Sequence, residues 1–182
     1  MRGTRILIGA TLLLTSGACR GATSAGPTTT PATSATASAV TANATVEWVV
    51  DGDTIDVVID GRTERVRLIG IDTPEVAHTG TPERPGNPAE CFGDAASAFT
   101  GRLLPEGTPV RLERDVVARD DYGRLLAYVY RADDGVFVNY ELARQGYAQP
   151  MTFPPNTAHA ERFVDAARLA EADDAGLWAA CR

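Results

Sequence analysis

The sequence of 182 residues contains no lysine, so all 17 of its basic side chains are arginines. The formal net charge is −7, because 24 acidic residues outnumber these arginines. An acidic protein is not expected to hold a polyanion through bulk charge. Binding of a polyanion would therefore depend on a few well-placed arginines and on a metal ion.

No apolar run is long enough to cross a bilayer as a helix, since the run Ile6 to Leu14 falls well short of a membrane span. Two arginines precede this run and small residues follow it, which is the layout of a signal peptide over residues 1–18. Cys19 comes next, as at the cleavage site of bacterial lipoproteins, although Ser16 stands where a branched aliphatic residue is usual. We predict a lipid anchor at Cys19. The alternative is simple secretion.

Residues 19–44 have little apolar bulk and consist almost entirely of Ala, Thr, Ser, Gly and Pro. Such a segment cannot offset the entropy of ordering, so we expect a flexible linker that carries the lipidated cysteine. Residues 45–182 contain no internal repeat and are long enough for one domain with its own core.

Cysteine and histidine are also scarce, with three and two copies. Their spacing does not fit a zinc site. If Cys19 is lipidated or removed, Cys91 and Cys181 remain in an exported protein, where disulfides persist. Linking them would close a loop of about 90 residues and contribute about 4 kcal/mol. We expect this disulfide, and the alternative is two buried free thiols.

The first part of the domain is rich in strand-forming residues. In residues 46–72, "VEWVVDGDTIDVVIDGRTERVRLIGID", apolar residues alternate up to Asp60-Gly61, a strong hairpin signal. Two further strands are predicted in residues 108–117 and 123–135. Helices are predicted in three segments: residues 93–104 with Asp94 as N-cap, residues 137–146 ending at Gly146, and residues 156–174 with Phe163, Ala166, Ala167, Leu169 and Ala170 facing inward. This α+β order fits a five-stranded OB-fold Greek-key β-barrel with three helices.

The stretch "VRLIGIDTPE" combines an arginine with two acids around a proline. Arg67 and Asp72 have opposite parity, so a regular strand would direct them to opposite faces of the sheet. Gly70 lies between them and is a natural position for a bulge. We therefore predict that the strand is interrupted at Gly70 and that Pro74, which lacks an N–H, helps turn Glu75 back towards Arg67.

Several motifs occur together in the order and approximate spacing of the staphylococcal nuclease (thermonuclease-like) family. They are "VDGDT", "VRLIGIDTPE", "FGDAASAFT", "DDYGRLLAYVY", "VNYELARQGYA" and "GLW". The chain resembles this family over nearly all of residues 46–178. The resemblance implies an OB-fold barrel with three helices that hydrolyses DNA and RNA with calcium and leaves a 3′-phosphate.

Hydrolysis of a phosphodiester needs a positioned water and positive charge near the phosphoryl oxygens. The resemblance implies matching roles: metal carboxylates (Asp53, Asp72), a metal-binding backbone carbonyl (Thr73), a residue that positions or deprotonates water (Glu75), phosphate-binding arginines (Arg67, Arg124) and a supporting carboxylate (Asp51). Carboxylate and carbonyl oxygens favour Ca²⁺. Asp51 and Asp53, two residues apart, are expected on one face of a strand.

The sequence departs from the family pattern around the substrate. Asp121 stands where the family has a lysine, and a carboxylate there would repel phosphate. Tyr122 either contacts the phosphate or sugar of a substrate or packs in the core. The loop at residues 150–155 lacks the family's two tyrosines, but Phe153 could stack on a base. His78 is expected to be a surface residue rather than a catalyst.

The sequence therefore predicts an exported, calcium-dependent nuclease, anchored to the membrane only through lipid or else secreted. It would act as a monomer on DNA and RNA with little sequence specificity. One alternative is a nucleic-acid-binding or interaction module of the same fold that has lost most or all catalysis. Another is a surface lipoprotein whose carboxylates bind calcium only for stability.

Overall fold

The computed structural model describes residues 39–80 and 85–182. The predicted signal peptide, Cys19 and most of the predicted linker lie outside the described residues. Hydrogen bonds to the barrel begin before Thr45, because the backbone N–H of Val40 donates to Ala132 (3.0 Å) and that of Asn43 donates to Val110 (2.9 Å). Within the described ranges, every helix is too short or too polar for a bilayer crossing.

Seven strands and four helices are present in the described part of the chain. The strands are β1 (Ala44–Val49), β2 (Thr54–Ile59), β3 (Arg62–Leu68), β4 (Gly70–Asp72), β5 (Pro109–Glu113), β6 (Leu125–Arg131) and β7 (Gln149–Met151). The helices are α1 (Gly93–Leu103), α2 (Val138–Arg144), α3 (Ala160–Ala172) and α4 (Leu177–Ala180). Five strands form a closed barrel in the order β1-β2-β3-β6-β5, with β3 and β6 parallel. The predicted five-stranded OB-fold barrel is confirmed.

Alternation of apolar residues builds the barrel core. Ile55 and Val57 of β2 and Val66 and Leu68 of β3 are buried, while the residues between them are more exposed. The β2–β3 hairpin turns at Asp60-Gly61, where both residues have positive φ (49° and 75°) as a tight two-residue hairpin requires. The hairpin predicted from these two residues is therefore present.

Two elements of the structure were not predicted from the sequence. The short strands β4 and β7 form a separate two-stranded antiparallel sheet, and the single-turn helix α4 follows α3. Segments of three or four residues carry too little periodicity to be recognised in a sequence.

Three predictions about the helices need correction. Asp94 is not the N-cap of α1, because Phe92 takes that position with φ 73° and Asp94 lies in the first turn. The last predicted helix, α3, begins at Ala160 rather than near Asn156. The Asn156 side chain instead donates to the carbonyl of Val117 (3.0 Å). Leu169 does not face inward, since half of it is exposed, whereas its predicted apolar neighbours on α3 are buried.

Cys91 and Cys181 form a disulfide that joins the start of α1 to the end of α4. Both cysteines are exposed, so the alternative of two buried free thiols is wrong. The bond connects residues 90 positions apart and ties the end of the chain to the segment that precedes α1.

Candidate active site

The strand interruption predicted at Gly70 separates β3 from β4. Gly70 has φ 85°, and a Cβ atom there would lie 2.2 Å from the ring of Phe163. Glycine is the residue that adopts this conformation without strain. Across the break, Arg67 Nη2 donates to Asp72 Oδ1 at 2.7 Å. The break thus brings together two side chains that a regular strand would have placed on opposite faces.

The Arg67 guanidinium also reaches Asp53, which lies in the turn between β1 and β2. Arg67 Nη1 is 2.9 Å from Asp53 Oδ2 and also donates to the carbonyls of Leu68 (2.9 Å) and Ile71 (3.0 Å). One guanidinium therefore bridges two carboxylates that are distant in sequence. Its orientation is fixed by hydrogen bonds to three oxygens and by the ion pair with Asp53.

Asp53 is an unusually placed carboxylate, because the residue is only 4% exposed. Burial raises the pKa of Asp53 to about 7, with smaller contributions from the neighbouring carboxylates of Asp51 and Asp72. The Arg67 charge and the Thr73 N–H act in the opposite direction. Asp53 thus lies near two other carboxylates, and a single arginine binds Asp53 and Asp72. A bound cation would offset this excess of negative charge.

Thr73 packs directly against Asp53. Its N–H and its hydroxyl donate to Asp53 Oδ2 at 2.9 and 3.1 Å. Gly52 permits this approach, since a Cβ atom there would lie 2.5 Å from Thr73 Oγ1. Within residues 39–80 and 85–182, no three His, Cys, Asp or Glu side chains gather closely enough to hold a metal. A metal ion here would need the two carboxylates of Asp53 and Asp72 together with carbonyl and water oxygens, a donor set that suits Ca²⁺.

Asp51 contacts Asp53, although not for the predicted reason. β1 ends at Val49 and β2 begins at Thr54, so both acids lie in the intervening turn and share no strand face. Asp51 Oδ1 instead accepts the backbone N–H of Asp53 at 3.1 Å. Asp51 therefore supports the turn that carries Asp53.

Glu75 follows Pro74 and its side chain is 54% exposed. Its backbone is held by Glu90, because Glu75 N–H donates to Glu90 Oε2 (3.1 Å) and Glu90 N–H donates to the Glu75 carbonyl (2.9 Å). His78 Nε2 lies 3.5 Å from Glu75 Oε2. His78 is half-exposed, as expected, but its position beside Glu75 was not predicted. Nor was the contact with Glu90, which is distant in sequence.

Arg124 is oriented by Asp120 rather than by the neighbouring Asp121. Arg124 Nε donates to Asp120 Oδ2 at 2.7 Å, and its backbone N–H donates to Asp120 Oδ1 at 2.9 Å. The guanidinium lies 5.6 Å from the centre of the Tyr122 ring. Tyr122 is 87% exposed, so the alternative of a core aromatic is wrong. The sequence contained two adjacent acids here without indicating which one binds Arg124.

These residues meet in a groove of about 560 Å³ on the outer wall of the barrel. Its lining includes Arg67, Asp72, Glu75, Tyr122, Arg124 and Phe153. Asp53 and Thr73 do not line the groove; Asp53 contacts the lining residue Arg67, and Thr73 follows the lining residue Asp72 in the chain. Phe153 is 67% exposed and offers an aromatic face at the edge of the groove. The groove therefore combines three guanidiniums, four carboxylates and two exposed aromatic rings, because Arg119, Asp120 and Asp121 line it as well.

Several known proteins are similar in sequence to this chain over most of its length. The family model described as "Staphylococcal nuclease homologue" matches residues 65–180. A thermonuclease of Staphylococcus intermedius is 41% identical over 133 residues, which cover 73% of this chain and 74% of that protein. A thermonuclease of Staphylococcus hyicus is 39% identical over 71% of this chain and 72% of that protein. Endonuclease YncB of Bacillus subtilis (strain 168) is 35% identical over 75% of this chain and 61% of that protein. The chain belongs to the staphylococcal nuclease family.

Proposed function

We propose that this protein is a calcium-dependent nuclease that hydrolyses phosphodiester bonds of DNA and RNA with little sequence preference. The observation that carries the proposal is the bridge from Arg67 to Asp53 (2.9 Å) and Asp72 (2.7 Å), at the wall of a groove that also contains Glu75 and Arg124. The names of the relatives, thermonuclease and endonuclease, support the same activity.

The reaction requires water to attack an anionic phosphorus centre. Glu75 lines the groove and is half-exposed, so its carboxylate is free to position a water molecule and accept its proton. The water oxygen then bonds to phosphorus, the bond from phosphorus to the 5′ oxygen breaks, and that oxygen takes up a proton from solvent and leaves as a hydroxyl. We assign the product a 3′-phosphate, as the family resemblance implies.

Negative charge on the phosphoryl oxygens has to be stabilised as the transition state forms. Arg67 and Arg124 line the same groove, and each is oriented by a carboxylate, Asp72 or Asp120. Donors that are oriented beforehand need no reorganisation during the reaction, which makes them effective catalysts. Calcium held by Asp53, Asp72 and the Thr73 carbonyl would supply further positive charge to these oxygens.

Substrate binding rests on aromatic rings more than on charge. Tyr122 and Phe153 are exposed at the groove, and base stacking contributes about 1–3 kcal/mol per base without regard to sequence. Asp121 also lines the groove, where its charge repels phosphate. We therefore infer weak, non-specific binding that still permits cleavage.

The protein is proposed to act outside the cytoplasm as a monomer, attached through a lipid on Cys19 or secreted. The Cys91–Cys181 disulfide supports export, because such bonds persist mainly in oxidising compartments. The basic, apolar and small-residue order of residues 1–18 supports a signal peptide.

The assignment of the site is tested with Glu75→Gln and Arg67→Gln in a single-stranded DNA cleavage assay. Removing one oriented donor or base commonly costs about 10²–10³ in rate, so each variant should lose at least that factor. Glu106→Gln is the matched control, since Glu106 is exposed and lies outside the groove. Near-normal cleavage by both site variants would refute the assignment, and bound but uncut DNA in the unaltered protein would indicate a binding module.

A further inference from the structure

A second cavity, of about 780 Å³, opens at one end of the barrel, where β2 ends and β3 and β6 begin. We call this cavity the barrel mouth. Its lining includes Arg62, Glu64, Leu112, Arg114, Arg119 and Leu125. Barrel mouths are a common location for ligand sites.

The strand pattern explains why charged residues lie in the mouth. Val66 and Leu68 of β3 point into the barrel, and Glu64 and Arg62 continue this alternating row towards the start of the strand. Arg114 continues the inward row of β5 in the same way. Arginines therefore occupy positions where apolar side chains would have closed the end of the core.

The charges in the mouth favour an anion. Arg119 binds Glu64 through two bonds of 3.0 Å, so these two charges offset each other. Arg62 and Arg114 are exposed, and neither forms a salt bridge with another residue of the described ranges. Asp60 at the rim leaves the mouth with an excess of positive charge, in a chain whose formal net charge is −7.

The mouth and the groove on the outer wall share one lining residue, Arg119. Its partner Glu64 is three residues before Arg67 on β3, or about 10 Å along the strand. A polymer strand that extends from the groove past Arg119 would therefore come within reach of the mouth. Apolar side chains of Leu112 and Leu125 line the mouth and could contact a base.

We propose that the barrel mouth is a distal binding site for the substrate strand, in which Arg62 and Arg114 hold phosphates beyond the bond that is cut. The inference rests on the proposed nuclease function and predicts a preference for strands long enough to extend from the groove to the mouth. Guanidiniums suit phosphate because their planar donors match its oxygens.

The test compares Arg62→Gln/Arg114→Gln with a control that loses the same two charges elsewhere, Arg144→Gln/Arg168→Gln on α2 and α3. All proteins carry Glu75→Gln so that the strand stays intact. Binding of a labelled oligothymidylate of about 12 nucleotides, and of a trimer, is measured by fluorescence anisotropy between roughly 50 and 200 mM salt.

The mouth variant should bind the long strand roughly fivefold more weakly than the control, and its salt dependence should fall by about 0.7 in log–log slope for each lost phosphate contact. Its affinity for the trimer should stay within about twofold of the control. Equal affinity of mouth and control variants for the long strand would overturn the proposal, and so would equal weakening for both lengths. The proposed function is checked separately, because it fails only if the protein with Glu75 intact cuts no strand.

Discussion

Removal of the disulfide by Cys91→Ser with Cys181→Ser is expected to lower the free energy of unfolding by about 4 kcal/mol. The magnitude follows from the sequence separation of 90 residues, because closing a loop of this length removes a large part of the entropy of the unfolded chain. The measurement is urea denaturation at neutral pH of the oxidised unaltered protein and of the variant. A loss below about 1 kcal/mol would refute this estimate.

The same variant should also be impaired in catalysis, since the disulfide is next to the segment that holds Glu75. Cys91 follows Glu90, whose N–H and carboxylate bond to the backbone of Glu75 at 2.9 and 3.1 Å. We expect a lower kcat with little change in KM, measured at a temperature where the variant remains folded. Glu90→Ala, which keeps the disulfide, should reproduce the kcat loss, and Glu90→Gln should restore activity because its amide oxygen can accept the same bond. Unchanged kcat in both the disulfide variant and Glu90→Ala would contradict the link.

Three further substitutions test other parts of the structure. Hydrogen bonds from two backbone N–H groups and a hydroxyl lower the pKa of Asp115. Asp115→Asn should therefore lower the free energy of unfolding by about 1–2 kcal/mol at neutral pH. When denaturation is measured at several pH values, this difference from the unaltered protein should vanish as the pH falls through the folded-state pKa of Asp115. Gly70→Ala should reduce stability and cleavage far more than Gly61→Ala, because both glycines have positive φ but only Gly70 lacks space for a Cβ. Asp120→Asn should release Arg124 and lower kcat for cleavage of single-stranded DNA, because Arg124 is then no longer oriented for the transition state; an unchanged kcat would exclude a positioning role.

The barrel could be predicted because its strands and turns are indicated by residues that lie close together in the sequence. Alternation of apolar residues identifies β2 and β3, and Asp60-Gly61 identifies their turn. The break at Gly70 was also predictable, since Arg67 and Asp72 could meet only if the strand lost its regular alternation. Each of these features follows from residues that are neighbours in sequence.

Features that depend on distant contacts could not be predicted. Asp94 is a good N-cap residue, but the N-cap lies two residues earlier, at Phe92, and Gly93 packs against the Glu75 carbonyl, where a Cβ would lie 2.1 Å away. The sequence does not distinguish Asp120 from Asp121, because the conformation of the turn determines which of the two carboxylates faces Arg124. The Glu75–Glu90 contact depends on how the intervening loop closes. The arginine-lined mouth appears only once the strands close into a barrel.

The most direct test of the account is digestion of single-stranded DNA by the purified protein with calcium, with a chelator, and after calcium is restored. We predict cleavage with calcium, loss of cleavage in the chelator, and recovery on restoration, because Arg67 holds the carboxylates of Asp53 and Asp72 together as two oxygen ligands of the kind that Ca²⁺ prefers. Cleavage that persists in the chelator would contradict the calcium site. A DNA strand that stays intact under all three conditions would contradict the proposed nuclease activity.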